Sequence, residues 1–196
     1  MGERMRLVFA SNNAHKLEEV RGIMPEGIEV LSLKDIGFDA EIEETGTTLE
    51  ENSAIKAEAV YHWILDNEQW TVDGVFADDT GLEIDALGGE PGVYTARWAG
   101  EPAANRAKAL HELAGQTNRN AQFRTVITLI RNGQMQQVEG IVRGRIAEEE
   151  YGQGGFGYDP VFIPEGYDKT FGELPAAIKN NISHRARALA QLVQLL

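Results

Sequence analysis

The feature that most constrains the fold is a pair of strand-like segments joined by Asn132-Gly133. Residues 121–131 are rich in β-branched side chains, and residues 138–146 alternate so that every second side chain shares one face. Asn-Gly between two such segments is typical of a type I′ turn, whose twist suits two antiparallel strands. The sequence therefore predicts an antiparallel hairpin that any fold of this chain must contain.

Segments with helical and strand periodicity alternate through the rest of the chain. Strands are predicted at residues 6–10, 28–31 and 75–77, the last ending on Asp78-Asp79, with residues 82–84 able to resume it. Helices are predicted at about residues 14–24, 49–65, 102–113 and 183–196, and Thr47 with Glu50 has capping-box spacing before the second. Together with the hairpin, this alternation predicts an α/β fold with a long mixed central sheet.

Composition limits both the size of the fold and its partners. A chain of 196 residues, 42% of them hydrophobic, is long enough for one substantial core, so we expect a single domain over residues 1–196 with two lobes around a substrate cleft. The net charge of -13 disfavours nucleic acid and anionic membranes as partners. Cysteine is absent, and the apolar run Leu7-Val8-Phe9-Ala10 is too short for a signal peptide or a membrane span. We therefore expect a cytoplasmic protein.

The segment Ser11-Asn12-Asn13-Ala14-His15-Lys16 lies where a predicted strand runs into a helix. Backbone N–H groups at a helix start favour an anion, and Lys16 adds a positive charge there. A bound phosphate would explain a cation that otherwise opposes the helix dipole. The alternative, which this segment alone slightly favours, is an ordinary asparagine cap beside a solvated lysine.

Two acidic segments could contribute to a metal site. Asp78-Asp79 lies at a predicted strand end, where α/β sheets present ligand-contacting groups, and Glu41-Ile42-Glu43-Glu44 precedes a helix. Carboxylate oxygens suit Mg²⁺, which takes one or two of them together with substrate phosphates. The alternatives are turn-capping aspartates and a solvated acidic surface.

Two later segments could recognise a flat ligand. The loop at residues 152–157 matches G-x-G-x-x-G, but Pro160 prevents a helix from opening directly after it, which excludes a dinucleotide-binding turn. Phe156 or Tyr158 could stack on a base, or could instead be a core aromatic in a flexible loop. Within residues 179–185, Lys179, His184 and Arg185 lie near a helix start. A base carbonyl or a phosphate bound there would explain these cationic residues. The alternative is a surface helix whose long side chains extend to solvent.

Eight motifs occur in an order that resembles one protein family. They are Ser11-Asn12-Asn13-Ala14-His15-Lys16, Glu43-Glu44-Thr45-Gly46, Glu51-Asn52-Ser53-Ala54-Ile55-Lys56, Ala77-Asp78-Asp79-Thr80-Gly81, Leu87-Gly88-Gly89, Pro91-Gly92-Val93-Tyr94, Gly154-Gly155-Phe156-Gly157-Tyr158-Asp159-Pro160 and Ser183-His184-Arg185. The chain resembles the noncanonical purine nucleoside triphosphate pyrophosphatases, also called inosine/xanthosine triphosphate pyrophosphatases. The resemblance covers nearly the whole chain.

The resemblance implies a Mg²⁺-dependent homodimeric enzyme that hydrolyses ITP, dITP and XTP to the monophosphate and pyrophosphate. This activity removes deaminated purines from the nucleotide pool. The implied catalytic residue is Asp79, which would also bind the metal together with Glu44. The implied substrate contacts are Ser11, Asn12, Asn13, Ala14, His15, Lys16 and Lys56 for the triphosphate, Thr80 for a hydroxyl contact, and Phe156, Gly157, Tyr158, Asp159, Lys179, His184 and Arg185 for the base.

The chain departs from the family pattern at two positions. Asn12 stands where many members carry glycine, which could alter the loop before Lys16, although asparagine tolerates left-handed geometry. Thr80 stands where serine is more usual and keeps the hydroxyl. Two other functions remain to be separated by experiment: a Maf-type pyrophosphatase, which residues 179–185 disfavour, and a nucleotide-binding regulator without hydrolysis, which the carboxylates Glu44 and Asp79 disfavour.

Overall fold

The structure, a computed structural model that describes residues 2–196, contains a six-stranded sheet. Its order is β2 (Ile28–Leu31), β1 (Met5–Phe9), β3 (Gly74–Ile84), β4 (Asn120–Arg131), β5 (Gln134–Ile146) and β6 (Phe162–Pro164). β1 runs parallel to β2 and β3, whereas β5 and β6 are antiparallel. The predicted mixed α/β sheet is therefore confirmed.

The β4–β5 hairpin turns at Asn132-Gly133, as predicted. Their φ angles are 50° and 75°, and both are positive as a type I′ turn requires. Glycine adopts this geometry without strain, and asparagine is among the few other residues that tolerate it.

Five α-helices accompany the sheet in residues 2–196: α1 (Ala14–Ile23), α2 (Leu49–Asp66), α3 (Pro102–Glu112), α4 (Ala176–Ile182) and α5 (His184–Gln194). The sequence predicted all of them except α4, and it did not predict β6. The predicted Thr47–Glu50 capping box is wrong by one residue. Thr48 is the N-cap, its hydroxyl accepts from the Glu51 amide, and the Glu51 carboxylate accepts from the Thr47 amide.

The described residues divide into two compact units. Unit 1 comprises the residues up to Asp79, Val126–Glu139 and Ala188–Leu196, and unit 2 comprises Thr80–Thr125 and Gly140–Arg187. The single domain over residues 1–196 and the substrate cleft stay predictions. In residues 2–196, no helix is both long and apolar enough to cross a membrane.

In unit 1, β1 and β3 are covered on both faces. Val8 of β1 belongs to a core shared with α2, whereas its neighbour Phe9 belongs to a core shared with α1 and α5. Successive side chains of a strand point to opposite faces, so β3 divides its residues between the same two cores. Ala77 lies in the core shared with α2, and Phe76 in the other. This alternation separates the surroundings of Asp78 and Asp79.

The predicted break in β3 at Asp78-Asp79 is wrong, because the strand continues to Ile84. In unit 2, Leu82 and Ile84 of β3 are fully buried in a core with Phe123, Phe162 and other aromatic residues. The apolar residues after Gly81 hold the chain in strand conformation even though Asp-Asp-Thr-Gly has the composition of a turn.

Candidate active site

The segment before α1 caps the helix with its own side chains. The Asn13 Oδ1 atom accepts from the amides of His15 and Lys16 at 3.0 and 3.2 Å, and the Ser11 hydroxyl accepts from the Asn13 amide at 3.1 Å. The asparagine cap is therefore present at this helix start, and phosphate binding by the segment stays a prediction. Residues 12–15 are exposed, so their side chains can be reached from solvent.

The side chain of Lys16 is not a solvated cation. Its Nζ atom lies 3.2 Å from Asp78 Oδ1, and the two side chains are 15% and 1% exposed. Asp78 therefore lies on the α1 side of β3 and pairs with a lysine, which excludes the alternative in which it caps a turn.

Lys56 of α2 gathers the acidic groups on the other side of β3. Its Nζ atom donates to the Asp78 carbonyl at 2.6 Å and to Glu44 Oε1 at 2.9 Å, and lies 3.9 Å from Asp79 Oδ1. Burial lowers the pKa of Lys56, but Asp78, Asp79 and Glu44 together raise the pKa above its usual value. Lys56 is therefore a permanently charged ammonium group beside two carboxylates.

The carboxyl group of Asp79 has a pKa close to neutral pH. Burial raises its pKa to about 6, against the opposing effect of Lys56 and Lys16. The side chain is 13% exposed, and its buried Oδ2 atom has no hydrogen-bond partner among residues 2–196. A carboxylate oxygen left unpaired in this way costs free energy unless a bound group satisfies it.

Asn52, a residue with no predicted role, fixes the backbone two residues after Glu44. The Gly46 amide donates to Asn52 Oδ1 at 2.8 Å, and Asn52 is 2% exposed. Asn52 and Lys56 are four residues apart on α2, so they share one face of the helix. This spacing was the available signal for Asn52. Glu43 is exposed, which identifies Glu44 as the acid that joins the cluster.

The carboxylates of Glu44 and Asp79 are suited to share one Mg²⁺ ion. Residues 2–196 contain no group of three or more His, Cys, Asp or Glu residues that could hold a metal ion by themselves. Mg²⁺ commonly takes one or two carboxylates and completes its shell with water and phosphate oxygens. Glu44 and the unpaired Oδ2 atom of Asp79 match that requirement.

In unit 2, Thr80 and Arg185 form a buried polar contact. Arg185 is 1% exposed, and its Nη2 atom donates to Thr80 Oγ1 at 3.1 Å. The Thr80 hydroxyl also lies 2.8 Å from Thr125 Oγ1. Arg185 is thus oriented from within the fold, which rules out a snorkelling surface residue.

The Gly-rich loop is held by Asp159. Its Oδ2 atom accepts from the Phe156 amide at 2.9 Å and from Lys179 Nζ at 2.6 Å. Lys179 Nζ also lies 4.6 Å from the centroid of the Phe156 ring, and Arg185 Cζ lies 5.8 Å from it. Phe156, Lys179 and Arg185 therefore form one cluster, with Asp159 as its anchor.

Tyr158 and His184 are core residues in this unit. The Tyr158 hydroxyl donates to the Thr95 carbonyl at 2.7 Å, the ring is 5% exposed, and burial raises its pKa. His184 is 4% exposed and stacks on Phe123 with ring centroids 4.7 Å apart. Of the two aromatic residues considered for stacking, Phe156 is the one that remains partly accessible, and Gly157 is also half-buried.

Comparison with known proteins gives a consistent result. The Ham1 family model matches residues 7–195. The dITP/XTP pyrophosphatase of Flavobacterium johnsoniae is 50% identical, over 98% of this chain and 98% of that protein. The enzyme of the same name from Bacillus subtilis is 49% identical over 96% of each chain. The solved structure of the Staphylococcus aureus Ham1 protein is 40% identical, covers 97% of both chains and has a TM-score of 0.83. The resemblance inferred from the eight motifs is confirmed, and this chain belongs to the Ham1 family.

Proposed function

We propose that the protein hydrolyses noncanonical purine nucleoside triphosphates, namely ITP, dITP and XTP, to the nucleoside monophosphate and pyrophosphate. The observation that carries the proposal is Asp79, a buried carboxyl with a pKa raised to about 6 and an unpaired oxygen beside two lysines. The names of the relatives from Flavobacterium johnsoniae and Bacillus subtilis support the same activity.

Lys16, Glu44, Lys56 and Asp79 form the unit 1 cluster, which would hold the triphosphate. Lys16 and Lys56 supply positive charge, and the exposed segment at residues 12–15 supplies polar contacts. Positive charge is needed because a polyphosphate repels an approaching nucleophile. Glu44 and Asp79 would hold Mg²⁺, which neutralises phosphate charge when bound.

Asp79 would act as the general base. In metal-free protein a carboxyl with a pKa of about 6 is mostly ionised at neutral pH, and an ionised carboxylate can accept a proton from water. As the water oxygen bonds to phosphorus, its proton passes to Asp79, the anhydride between the α and β phosphates breaks, and pyrophosphate leaves. Lys56, charged at all relevant pH values, would stabilise the negative charge that develops.

The unit 2 cluster would select the base. Phe156 offers a partly accessible ring for stacking, and Arg185 and Lys179 are hydrogen-bond donors only. Such donors match the 6-oxo group of hypoxanthine and xanthine, whereas facing the 6-amino group of adenine they would be left unpaired. Guanine also carries a 6-oxo group, so rejection of GTP requires contacts at the purine 2-position.

Pyrophosphate release from ITP, XTP, GTP, ATP and TTP, each with Mg²⁺ and with a chelator, tests the proposal. We expect Mg²⁺-dependent release from ITP and XTP at least about 100-fold faster than from ATP. Preference for TTP would instead indicate a Maf-type enzyme, and binding of ITP without release would indicate a regulator. Either result would overturn the proposal.

The cellular location and the oligomeric state of the protein are also proposals. We infer a cytoplasmic location, supported by the absence of cysteine from the sequence. We also infer a homodimer, supported by the resemblance to the pyrophosphatase family.

A further inference from the structure

The Gly-rich loop is bridged at both of its ends by one side chain from α3. Arg106 Nε lies 2.5 Å from Glu150 Oε1, and Arg106 Nη1 donates to the Gly157 carbonyl at 2.9 Å. Glu150 precedes the loop glycines, and Gly157 follows Phe156 directly. The Arg106 guanidinium therefore bridges the two ends of residues 150–157, the segment that carries the Phe156 side chain.

Other contacts fix this loop at different points. The Tyr151 amide donates to the Pro160 carbonyl and the Gly154 amide to the Gly172 carbonyl, both at 2.9 Å. Asp159 accepts a hydrogen bond from the backbone amide of Phe156, on the N-terminal side of the Phe156 side chain. The Arg106 contact acts on the opposite side of Phe156, at Gly157, so the backbone is held both before and after the aromatic side chain.

The two contacts of Arg106 have different strengths. Glu150 has a side chain that is 43% exposed, and surface ion pairs of this kind contribute little stability. The bond to the Gly157 carbonyl is partly buried, so solvent screens it less than the exposed contact with Glu150. Glu150 therefore serves chiefly to orient the guanidinium, whose planar fork can reach both partners at once.

We propose that Arg106 is a positioning residue that keeps Phe156 in place for stacking on the purine base, with Glu150 as its orienting partner. This inference rests on the proposed function. Both partners of Arg106 lie in unit 2, as does Phe156. Loss of Arg106 should therefore affect recognition of the base and leave recognition of the triphosphate intact.

Kinetics with and without a base on the substrate test this role. We expect Arg106→Gln to raise the KM for ITP about tenfold, because a stacked base is typically worth one to two powers of ten in affinity. The kcat for ITP should change less than about twofold, and the KM for ribose 5′-triphosphate, which lacks the base, should not change. A merely structural role would shift the KM of both substrates together and would overturn the proposal.

Lys108→Gln is the matched control, because Lys108 is a cation on the same helix that contacts the Trp98 carbonyl instead of the loop. It should leave both KM values unchanged. Arg106→Lys keeps the charge but cannot reach both partners, so it should raise the KM for ITP by an intermediate factor of about three. If Arg106→Gln does not fold, Arg106→Lys gives the same comparison, and an unchanged KM for ITP in that variant overturns the proposal.

A double-mutant cycle tests whether the two residues act together. Glu150→Ala should raise the KM for ITP about twofold, and Arg106→Gln with Glu150→Ala should be no worse than Arg106→Gln alone. Fully additive effects would contradict the orienting role of Glu150.

Amide hydrogen exchange of residues 151–157 should be faster in Arg106→Gln than in Lys108→Gln, and equal exchange would also overturn the proposal. If wild-type protein does not hydrolyse ITP, the proposed function fails first, and exchange alone still decides whether Arg106 orders the loop.

Discussion

Asp78 and Asp79 are adjacent in the sequence and have different surroundings in the fold. The alternation of β3 turns Asp78 toward Lys16 of α1 and Asp79 toward Lys56 of α2. Asp78 is in contact with a lysine, whereas Asp79 keeps a buried oxygen unpaired and has its pKa raised to about 6 by burial. The chemical difference between two identical side chains therefore comes from which face of one strand each occupies.

The raised pKa of Asp79 predicts a cost in stability. A carboxyl whose pKa is 3.8 in the unfolded chain and about 6 in the fold binds more protons when folded, so stability falls as pH rises through that window. In metal-free protein at pH 7.5, Asp79→Asn should therefore be more stable than wild type by about 2–3 kcal/mol, and at pH 4 the two should be alike. Urea denaturation with a chelator at both pH values measures this difference.

Asp78→Asn is the control for that experiment. It removes a carboxylate that pairs with Lys16, so at pH 7.5 we expect destabilisation, opposite in sign to Asp79→Asn. Equal stability of wild type and Asp79→Asn at pH 7.5 would show that the fold does not disfavour the ionised Asp79 side chain.

At the scale of elements, α2 organises the unit 1 cluster. Its N-terminus is capped by Thr48 and Glu51, Asn52 fixes the backbone after Glu44, and Lys56 lies one turn further along. The start of this helix therefore determines where the acidic segment joins the cluster.

The cap of α2 gives a test with an internal control. Thr48→Ala should destabilise the protein by about 1 kcal/mol, because the Glu51 amide loses its acceptor. Thr47→Ala removes only a 3.3 Å hydroxyl contact to Glu51 and should cost less than half as much. Thermal unfolding of both variants measures the two costs. The reverse order would restore the capping box predicted from sequence.

The elements that the sequence predicted are those with strong local signals. The hairpin follows from Asn132-Gly133, and α3 begins at Pro102, a residue that suits the first turn of a helix. β6 and α4 have three and seven residues, too few to show a period. The continuity of β3 could not be read locally, because buried residues beyond Gly81 decide it.

At the scale of the whole molecule, the described residues divide into two compact units. The residues proposed to bind the triphosphate lie in unit 1, and those proposed to bind the base lie in unit 2. Most of the candidate site came from the resemblance to a family, since each motif alone had an ordinary structural explanation. The burial of Asp79, Arg185 and Lys179 could not be predicted from sequence, because it depends on tertiary packing. The contact of Asn52 with Gly46 is local, and its spacing from Lys56 was a signal in the sequence. The contacts of Arg106 with Glu150 and Gly157 join segments 44 and 51 residues apart, and no local pattern predicts them.

We propose that the protein cleaves the α–β anhydride of a 6-oxopurine triphosphate and that this cleavage requires Asp79. Phosphorus-31 NMR of ITP with Mg²⁺ follows this cleavage directly. Wild-type protein should produce inosine monophosphate and pyrophosphate in equal amounts, and Asp79→Asn should do so at least about 100-fold more slowly while still binding ITP. Release of inosine diphosphate and inorganic phosphate would show that the β–γ anhydride is cleaved instead. Full activity in Asp79→Asn would show that Asp79 is not required.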